Sequence, residues 1–474
     1  MSLWTSDEIA KATDGKTAGT WAVEGVSIDS RTVAKGDLFI ALQGPTHDGH
    51  DHVGSALKAG AAGSLVHRLP QDLSHHLQDK LVVVKDTFTA LNKLGAAARA
   101  RSRAKIAAIT GSVGKTGTKE ALKLAFGALG ATHATLGNLN NHWGVPLTLS
   151  RMPREAAFGV FELGMNHAGE IAPLAKLVQA HVAIVTTVAA AHLEFFQSVG
   201  EIADEKASIA AGLLPGGTMI LPADNEHYDR MASVAKAHGV ANIVSFGTAG
   251  SAQAQLIGMA FKPTGMQVVT DILGERVTYD LGVTGKQWAL NTIAVLAAVK
   301  AVGGDIFESA AALSKLVPSK GRGLRTEVSV PGGSVTVIDE TYNASPVSIK
   351  ALADTLGQMK TGQVKRIIMV LGDMLELGTS GPALHADLAE AINDNRIDAV
   401  FTAGPLMEHL HSALPREKRG GHAKDSATLA PLVAAAAKPG DLIAVKGSNG
   451  SKMSVVVDTL LGLGRGAAKA ANGH

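Results

Sequence analysis

The 474-residue chain has no cysteine. That excludes disulfides, cysteine-ligated metals and a thiol nucleophile, and it fits a reducing compartment. Aromatic residues are scarce at 4%, and neither sign of charge dominates: 44 Lys and Arg stand against 42 Asp and Glu, a formal net charge of +2. So small an excess gives no global field to draw in nucleic acid or a membrane surface. No apolar run reaches the length of a membrane span, and the N-terminal MSLWTSDEIAKATDG carries acids where a signal peptide needs a basic end and an apolar core. A soluble cytoplasmic protein without membrane insertion is the expectation. Neither an internal repeat nor a low-complexity linker is visible. What is plentiful is glycine, 53 residues, and hydrophobic side chains at 46% against 18% charged. This is the composition of a well-packed α/β chain, long enough for two or three domains.

The stretch KIAAITGSVGKTGTKE, residues 105 to 120, organises the rest. An apolar run of strand type stops at Thr110, the turn Gly111-Ser112-Val113-Gly114 follows, and Lys115-Thr116-Gly117 open a helix predicted to run through Phe126. Glycines let backbone N–H groups converge on phosphate oxygens, and the helix N-terminus adds favourable partial charge. Lys115 then reaches the β and γ phosphates, and the Thr116 hydroxyl is suited to Mg²⁺. The match is GxxGKT, shorter than the eight-residue consensus because Ile109 stands at its first glycine. The strand, turn and helix around it favour a phosphate-binding loop over an ordinary glycine-rich connection.

Other strand ends carry polar residues at places where an open parallel sheet binds ligands. AAFGVFELG, residues 156 to 164, delivers Glu162 to its carboxyl end, and a carboxylate there binds Mg²⁺ directly or through water. HVAIVTTVAAAHLEFF puts His192 just past a strand, and Lys206 follows on a helix. After the helix of the phosphate-binding loop, and before the Glu162 strand, comes the amide-rich turn Asn138, Asn140, Asn141, His142. Asn291 is a polar residue inside the apolar helix pattern QWALNTIAVLAAVKAVG. Residues 1 to about 85 read as a small α/β module in which Ser30 and Arg31 leave a strand beside Asp29, suitable for a diphosphate or carboxylate and equally for a surface turn. A boundary is expected near 310 to 325, where LVPSKGRGLRTE carries Arg322 and Arg325. Beyond it the text resets to apolar strands followed by helices, with Asp339, Asp373 and Lys446 at three strand ends, and the tail after Gly464 reads as frayed surface.

These motifs together resemble the Mur ligases, over almost the whole chain: SIDSR, DLFIALQG, DGHD, TGSVGKTGTKE, GNLNNHWGVPLTL, FELGMNHAGEI, AHLEFF, GRG, IDETYNASP, VLGDMLELG and VKGSNGSKM. FELGMNHAGEI and VLGDMLELG favour the branch that adds D-alanyl-D-alanine over the one that adds diaminopimelate or lysine. The resemblance implies a three-domain α/β architecture: a UDP-muramoyl-peptide domain (1–85), a central Mg-ATP domain (86–315) and a Rossmann-like C-terminal domain (316–474) for the incoming amine. It implies a monomeric enzyme taking ATP, Mg²⁺ in two ions, UDP-N-acetylmuramoyl-tripeptide and D-Ala-D-Ala, through an acyl phosphate. By the same resemblance, Lys115 takes the β and γ phosphates, Thr116 and Glu162 one Mg²⁺, and His192 a second. Asn291 takes adenine, Arg325 the γ-phosphate and Asp339 the ribose. Lys206 matches the family's carbamylated lysine, Ser30 and Arg31 fall in the UDP-substrate domain, and Asn138 and Asn141 fall near the reacting groups. Departures from the family pattern stand at Thr187, Ala189, Gln287 and Asn449. A folylpolyglutamate-type ligase shares the core but lacks the SIDSR and DGHD module, and a P-loop switch without enzymatic activity is the alternative from another class.

Overall fold

The computed structural model describes residues 2–471 except Gln71, Asp72, His192, Pro263, Thr361 and Gln363, with backbone alone from 465 onward. Three α/β units follow one another along the chain. The first is a five-stranded sheet in the order Lys16–Thr17, Leu81–Val83, Gly63–Val66, Asp37–Ile40, Gly25–Ser27. Its core takes in Ala90, Leu91, Leu94 and Ala98 of the helix Thr87–Arg101, together with Leu147 of the helix Gly144–Ser150. Trp4 Nε1 donates to Ser150 O at 2.8 Å, so apolar packing and a buried hydrogen bond tie this module to the next unit.

The central sheet has nine strands, and Lys105–Thr110 lies well inside it, parallel to Phe158–Glu162 on one side and Ala180–Val185 on the other. Its alternate side chains divide between two cores. Ala107 and Ile109 pack toward the helices Lys115–Leu129 and Lys286–Ala301, whereas Ile106 and Ala108 pack toward Ile171–Val178 and Val199–Ala207. Burial on both faces is why this strand reads as one continuous apolar run rather than an alternating one. Register puts Glu162 beside Ile109 and Val185 beside Thr110, so three strands end side by side. The antiparallel strands predicted over 255–283 are Ala254–Phe261, Met266–Ile272 and Glu275–Leu281, at the sheet's far edge.

The third unit is a six-stranded sheet in which Gly333–Glu340, Asp441–Lys446 and Arg366–Gly372 are parallel neighbours. Leu324–Val330 is its antiparallel edge strand. The expected common rim is present: Glu340, Gly372 and Lys446 end adjacent strands. The C-terminal tail differs from the sequence reading, because the helix beginning at Ser454 continues to Ala471. In the run RGAAKAA the alanines, arginine and lysine are strong helix formers, and they outweigh the cost of about 1 kcal/mol at Gly466. Among the described residues no helix is long and apolar enough to cross a membrane.

Candidate active site

A cleft of about 630 Å³ lies between the carboxyl ends of the central and C-terminal sheets. The turn after Thr110 forms its floor and depends on glycine geometry. Gly111 has φ +148 and Gly114 φ +93, and a Cβ on Gly114 would stand 2.9 Å from Asn291 Nδ2. Asn291 therefore lies directly against the loop, on the helix that also presses Trp288 toward Gly117. The loop is fastened from the other side by Ser112, whose Oγ accepts from Ala189 N at 3.0 Å, and by Thr186 Oγ1, which donates to Val113 O at 2.6 Å. Thr187 and Ala189, two departures from the family pattern, meet the loop through main-chain atoms alone: the Thr187 carbonyl accepts from Ser112 N at 2.8 Å, a contact that does not depend on the side chain there.

Lys115 opens the helix, and its Nζ donates to Gly111 O at 2.6 Å. Burial pushes this amine below the ordinary lysine range; Glu162 opposes that shift, and the charge of Arg322 adds to it. Glu162 is 1% exposed. One of its oxygens, Oε1, accepts from Asn140 Nδ2 at 2.8 Å, while Oε2 is buried with no hydrogen-bond partner among the described residues. Lys206 is also buried, and burial, followed by the charge of Lys115, pushes it well below the ordinary lysine range. Its neighbour Glu205 accepts from Gly169 N and Ile171 N at 2.8 and 2.7 Å, holding the start of the helix Ile171–Val178. Two buried lysines and a half-satisfied carboxylate make a site short of anionic oxygen on one side and of cation on the other.

The cleft brings together Ser112, Val113, Gly114, Lys115, Thr116, Gly117, Asn138, Asn141, Glu162 and Asn291. Gly111, which accepts from Lys115 Nζ, and Lys206, on which the Lys115 charge acts, do not line it. Arg325 and Asp339 lie outside it. Arg325 Nη2 donates to Thr284 Oγ1 at 2.6 Å, and Asp339 accepts from Gly321 N at 2.9 Å and from Thr341 Oγ1 at 2.6 Å. Asn141 Oδ1 caps the following helix through Gly144 N at 2.9 Å. Ser30 and Arg31 are away from the cleft on the N-terminal module. There Arg31 is exposed and hydrogen-bonds Asp29 at 2.7 Å, and the pairing holds Asp29 down to about 2. His192 lies outside the described residues.

The sequence reading passed over Asn140 as a site residue, although it named the turn; only the fold reveals which amide faces Glu162. It also gave no cleft role to Arg322, which meets Tyr342, a residue of the expected rim, there. Among the described residues no group of three or more His, Asp and Glu side chains forms a metal cage. The unpartnered Glu162 oxygen and the Thr116 hydroxyl in the same cleft nevertheless fit a hard cation that takes oxygen ligands and keeps several waters.

Three family models match in succession: Mur ligase family, catalytic domain over residues 22–105, Mur ligase middle domain over 109–299, and Mur ligase, glutamate ligase domain over 324–449. The chain is 34% identical over 458 residues to a UDP-N-acetylmuramoyl-tripeptide–D-alanyl-D-alanine ligase of Rickettsia prowazekii, with 96% of this chain and 99% of the relative covered. A crystal structure of MurF from Acinetobacter baumannii superposes with a TM-score of 0.83 at 29% identity, covering 97% of this chain and 99% of the other. The MurF ligase of Thermotoga maritima in complex with ADP gives a TM-score of 0.78 at 25% identity, covering 94% and 99%.

Proposed function

The chain belongs to the Mur ligase family, and on that premise we propose that it joins D-alanyl-D-alanine to UDP-N-acetylmuramoyl-tripeptide, converting ATP to ADP and phosphate, in peptidoglycan synthesis. The observation that carries this reading is the single cleft in which a phosphate-binding loop, a buried carboxylate with one free oxygen and the rim of a second α/β sheet face one another. The physical difficulty of the reaction is the leaving group: a peptide carboxylate cannot lose oxide. Its oxygen attacks the γ-phosphorus, ADP departs, and the acyl carbon then carries phosphate. The dipeptide amine attacks that carbon, phosphate leaves, and the amine gives up a proton as the amide forms.

In this reading the backbone of Gly111 to Gly117 and Lys115 hold the β and γ phosphates, where negative charge builds on transfer. Asn291 takes the adenine edge, and Glu162 with Thr116 would hold Mg²⁺, which when bound neutralises phosphate charge. Asn140 fixes the Glu162 carboxylate. Asn138 and Asn141 serve the reacting end of the peptide, and Ser30 and Arg31 the UDP end. Arg325 and Asp339 reach the nucleotide only on closure of the C-terminal unit. The domain limits that go with these roles are 1–85, 86–315 and 316–474. Lys206 is read as a carbamate, which would convert a buried cation beside Lys115 into an anion able to help His192 with a second metal. Its lowered basicity supports that reading, since carbamylation requires the neutral amine.

The test is a steady-state assay of ADP and phosphate release. Turnover is expected only when UDP-muramoyl-tripeptide and D-Ala-D-Ala are both present. Full turnover with nucleotide alone would reject the ligase reading, and equal use of a folate substrate would move the chain to another branch. For Lys206, a ¹³C carbamate signal after ¹³CO₂ loading is the deciding observation, and its absence in active enzyme removes the modification.

A further inference from the structure

Arg322 lies in the segment joining the central and C-terminal units, flanked by Gly321 at φ +76 and Gly323 at φ +96. That segment is pinned onto the end of the strand Gly333–Glu340. Gly321 N donates to Asp339 Oδ2 at 2.9 Å, Gly323 N to Asp339 O at 2.7 Å, and Tyr342 N to Gly321 O at 3.0 Å. The result is a short, double-anchored loop whose one long side chain leans over an aromatic face, with the Arg322 guanidinium carbon 3.7 Å from the centroid of the Tyr342 ring. Both residues line the cleft, on the wall opposite the phosphate-binding loop.

Two facts separate this arginine from a surface residue resting on a ring. Among the described residues Arg322 makes no ion pair, although Glu340 is nearby in the same cleft and is taken instead by Lys446, whose Nζ stands 3.2 Å from Glu340 Oε2. Its charge is also felt at Lys115 across the cleft. An unpaired guanidinium held flat by an aromatic ring keeps its N–H edge free, and that edge has the geometry of a bidentate phosphate contact. The loop glycines and the Asp339 anchor fix where the edge is offered.

We propose that Arg322 binds the terminal phosphate of ATP from the C-terminal side of the cleft, with Tyr342 as the platform that orients it. The role is additional to the one assigned to Arg325, and it rests on the nucleotide reading of the cleft. It also gives the Asp339 anchor a purpose beyond strand-end stability, because that carboxylate holds the backbone on which Arg322 is mounted.

Calorimetric titration with Mg-ATP and Mg-ADP tests it, using Arg322→Met, Arg322→Lys and Lys115→Ala. Arg322→Met is expected to weaken ATP at least tenfold while ADP stays within twofold of wild type; the ADP titration also certifies a folded cleft. Arg322→Lys, which keeps the charge without the fork, is expected to lose less in the same direction, and it answers the question if the methionine variant does not fold. In turnover, KM for ATP should rise while KM for the dipeptide is unchanged. ATP affinity retained in Arg322→Met, or equal losses for ATP and ADP, overturns the proposal. If Lys115→Ala also binds both nucleotides as wild type does, the nucleotide reading fails with it; if Lys115→Ala loses them while Arg322→Met does not, only the role of Arg322 is lost.

Discussion

The central and C-terminal sheets are built alike, parallel strands with polar residues at their carboxyl ends, yet those ends are in opposite condition. At the central end a Glu162 oxygen is buried without a partner among the described residues, and Lys115 and Lys206 are buried amines, the charge of the first adding to the burial that depresses the second. At the C-terminal end the comparable groups are satisfied from within. Asp339 is held by Gly321 and Thr341, Asp373 accepts from Met407 N at 2.8 Å, and Lys446 donates to Asn343 O at 2.9 Å. Unsatisfied buried groups cost stability, and a chain keeps them where a ligand supplies the missing partner. The first sheet end is left open to a partner, and the second is a finished wall that faces it across the cleft.

The largest effect that would break this contrast belongs to Lys115. Lys115→Ala is expected to leave the fold intact and to remove roughly 3 kcal/mol or more of transition-state stabilisation, about a hundredfold in kcat/KM. An unchanged kcat/KM would mean that the buried cation is structural. The opposite behaviour is expected across the cleft. Asp339→Ala strands the Gly321 and Thr341 N–H groups, and its stability loss, read from denaturant unfolding of the unliganded protein, is expected to be about 3 kcal/mol. Loss of activity with wild-type stability would show that the C-terminal end is no more self-satisfied than the central one.

Much of this division was legible in the residues. The phosphate-binding loop is local chemistry: Gly111, Gly114, Lys115 and Thr116 are neighbours, and the apolar run before them announces a strand buried on both faces. Glu162 could be placed because a strand delivers its last residue to one sheet edge. What could not be read depends on partners distant in sequence. Asp339 is committed to Gly321, 18 positions upstream, and Arg322 stacks on Tyr342, so neither the occupancy of the one nor the orientation of the other follows from spacing. In the turn Asn138 to Asn141 the sequence supplies three amides, and only the turn's conformation selects Asn140 to face the carboxylate.

Asn140 sharpens the comparison at smaller amplitude. By holding Oε1 it leaves Oε2 of Glu162 aimed and free, the relation of an outer partner to a metal ligand. Asn140→Ala is expected to raise the Mg²⁺ concentration needed for half-maximal activity roughly tenfold, the lower range for loss of such a partner, and excess Mg²⁺ should restore most of the rate. A fall in rate that Mg²⁺ does not repair would place Asn140 on the substrate side instead.

The smallest effect is a dependence on pH confined to the finished wall. His385 is fully buried; its Nδ1 faces Gly381 O at 2.6 Å, and its Nε2 accepts from Met374 N at 3.0 Å, one residue beyond Asp373. Those partners fix the neutral tautomer with the proton on Nδ1. Burial, opposed by the Gly381 carbonyl and Asp373 and assisted weakly by His409, lowers its pKa below the usual histidine value of 6.5. A histidine with a lowered folded-state pKa binds fewer protons folded than unfolded. Its stabilising contribution is therefore complete above about 6.5 and is lost as pH falls from there toward the folded-state value. Protonating Nε2 also breaks the Met374 hydrogen bond directly. Amide exchange at Met374, corrected for the intrinsic pH dependence, should accordingly show less protection at pH 5.5 than at pH 7.5, while amides at the central strand end, such as that of Ile109, keep theirs. Equal protection of Met374 at both values would mean that the bond to His385 does not hold this strand end, and the C-terminal wall would then owe its order to Asp339 and Asp373 alone.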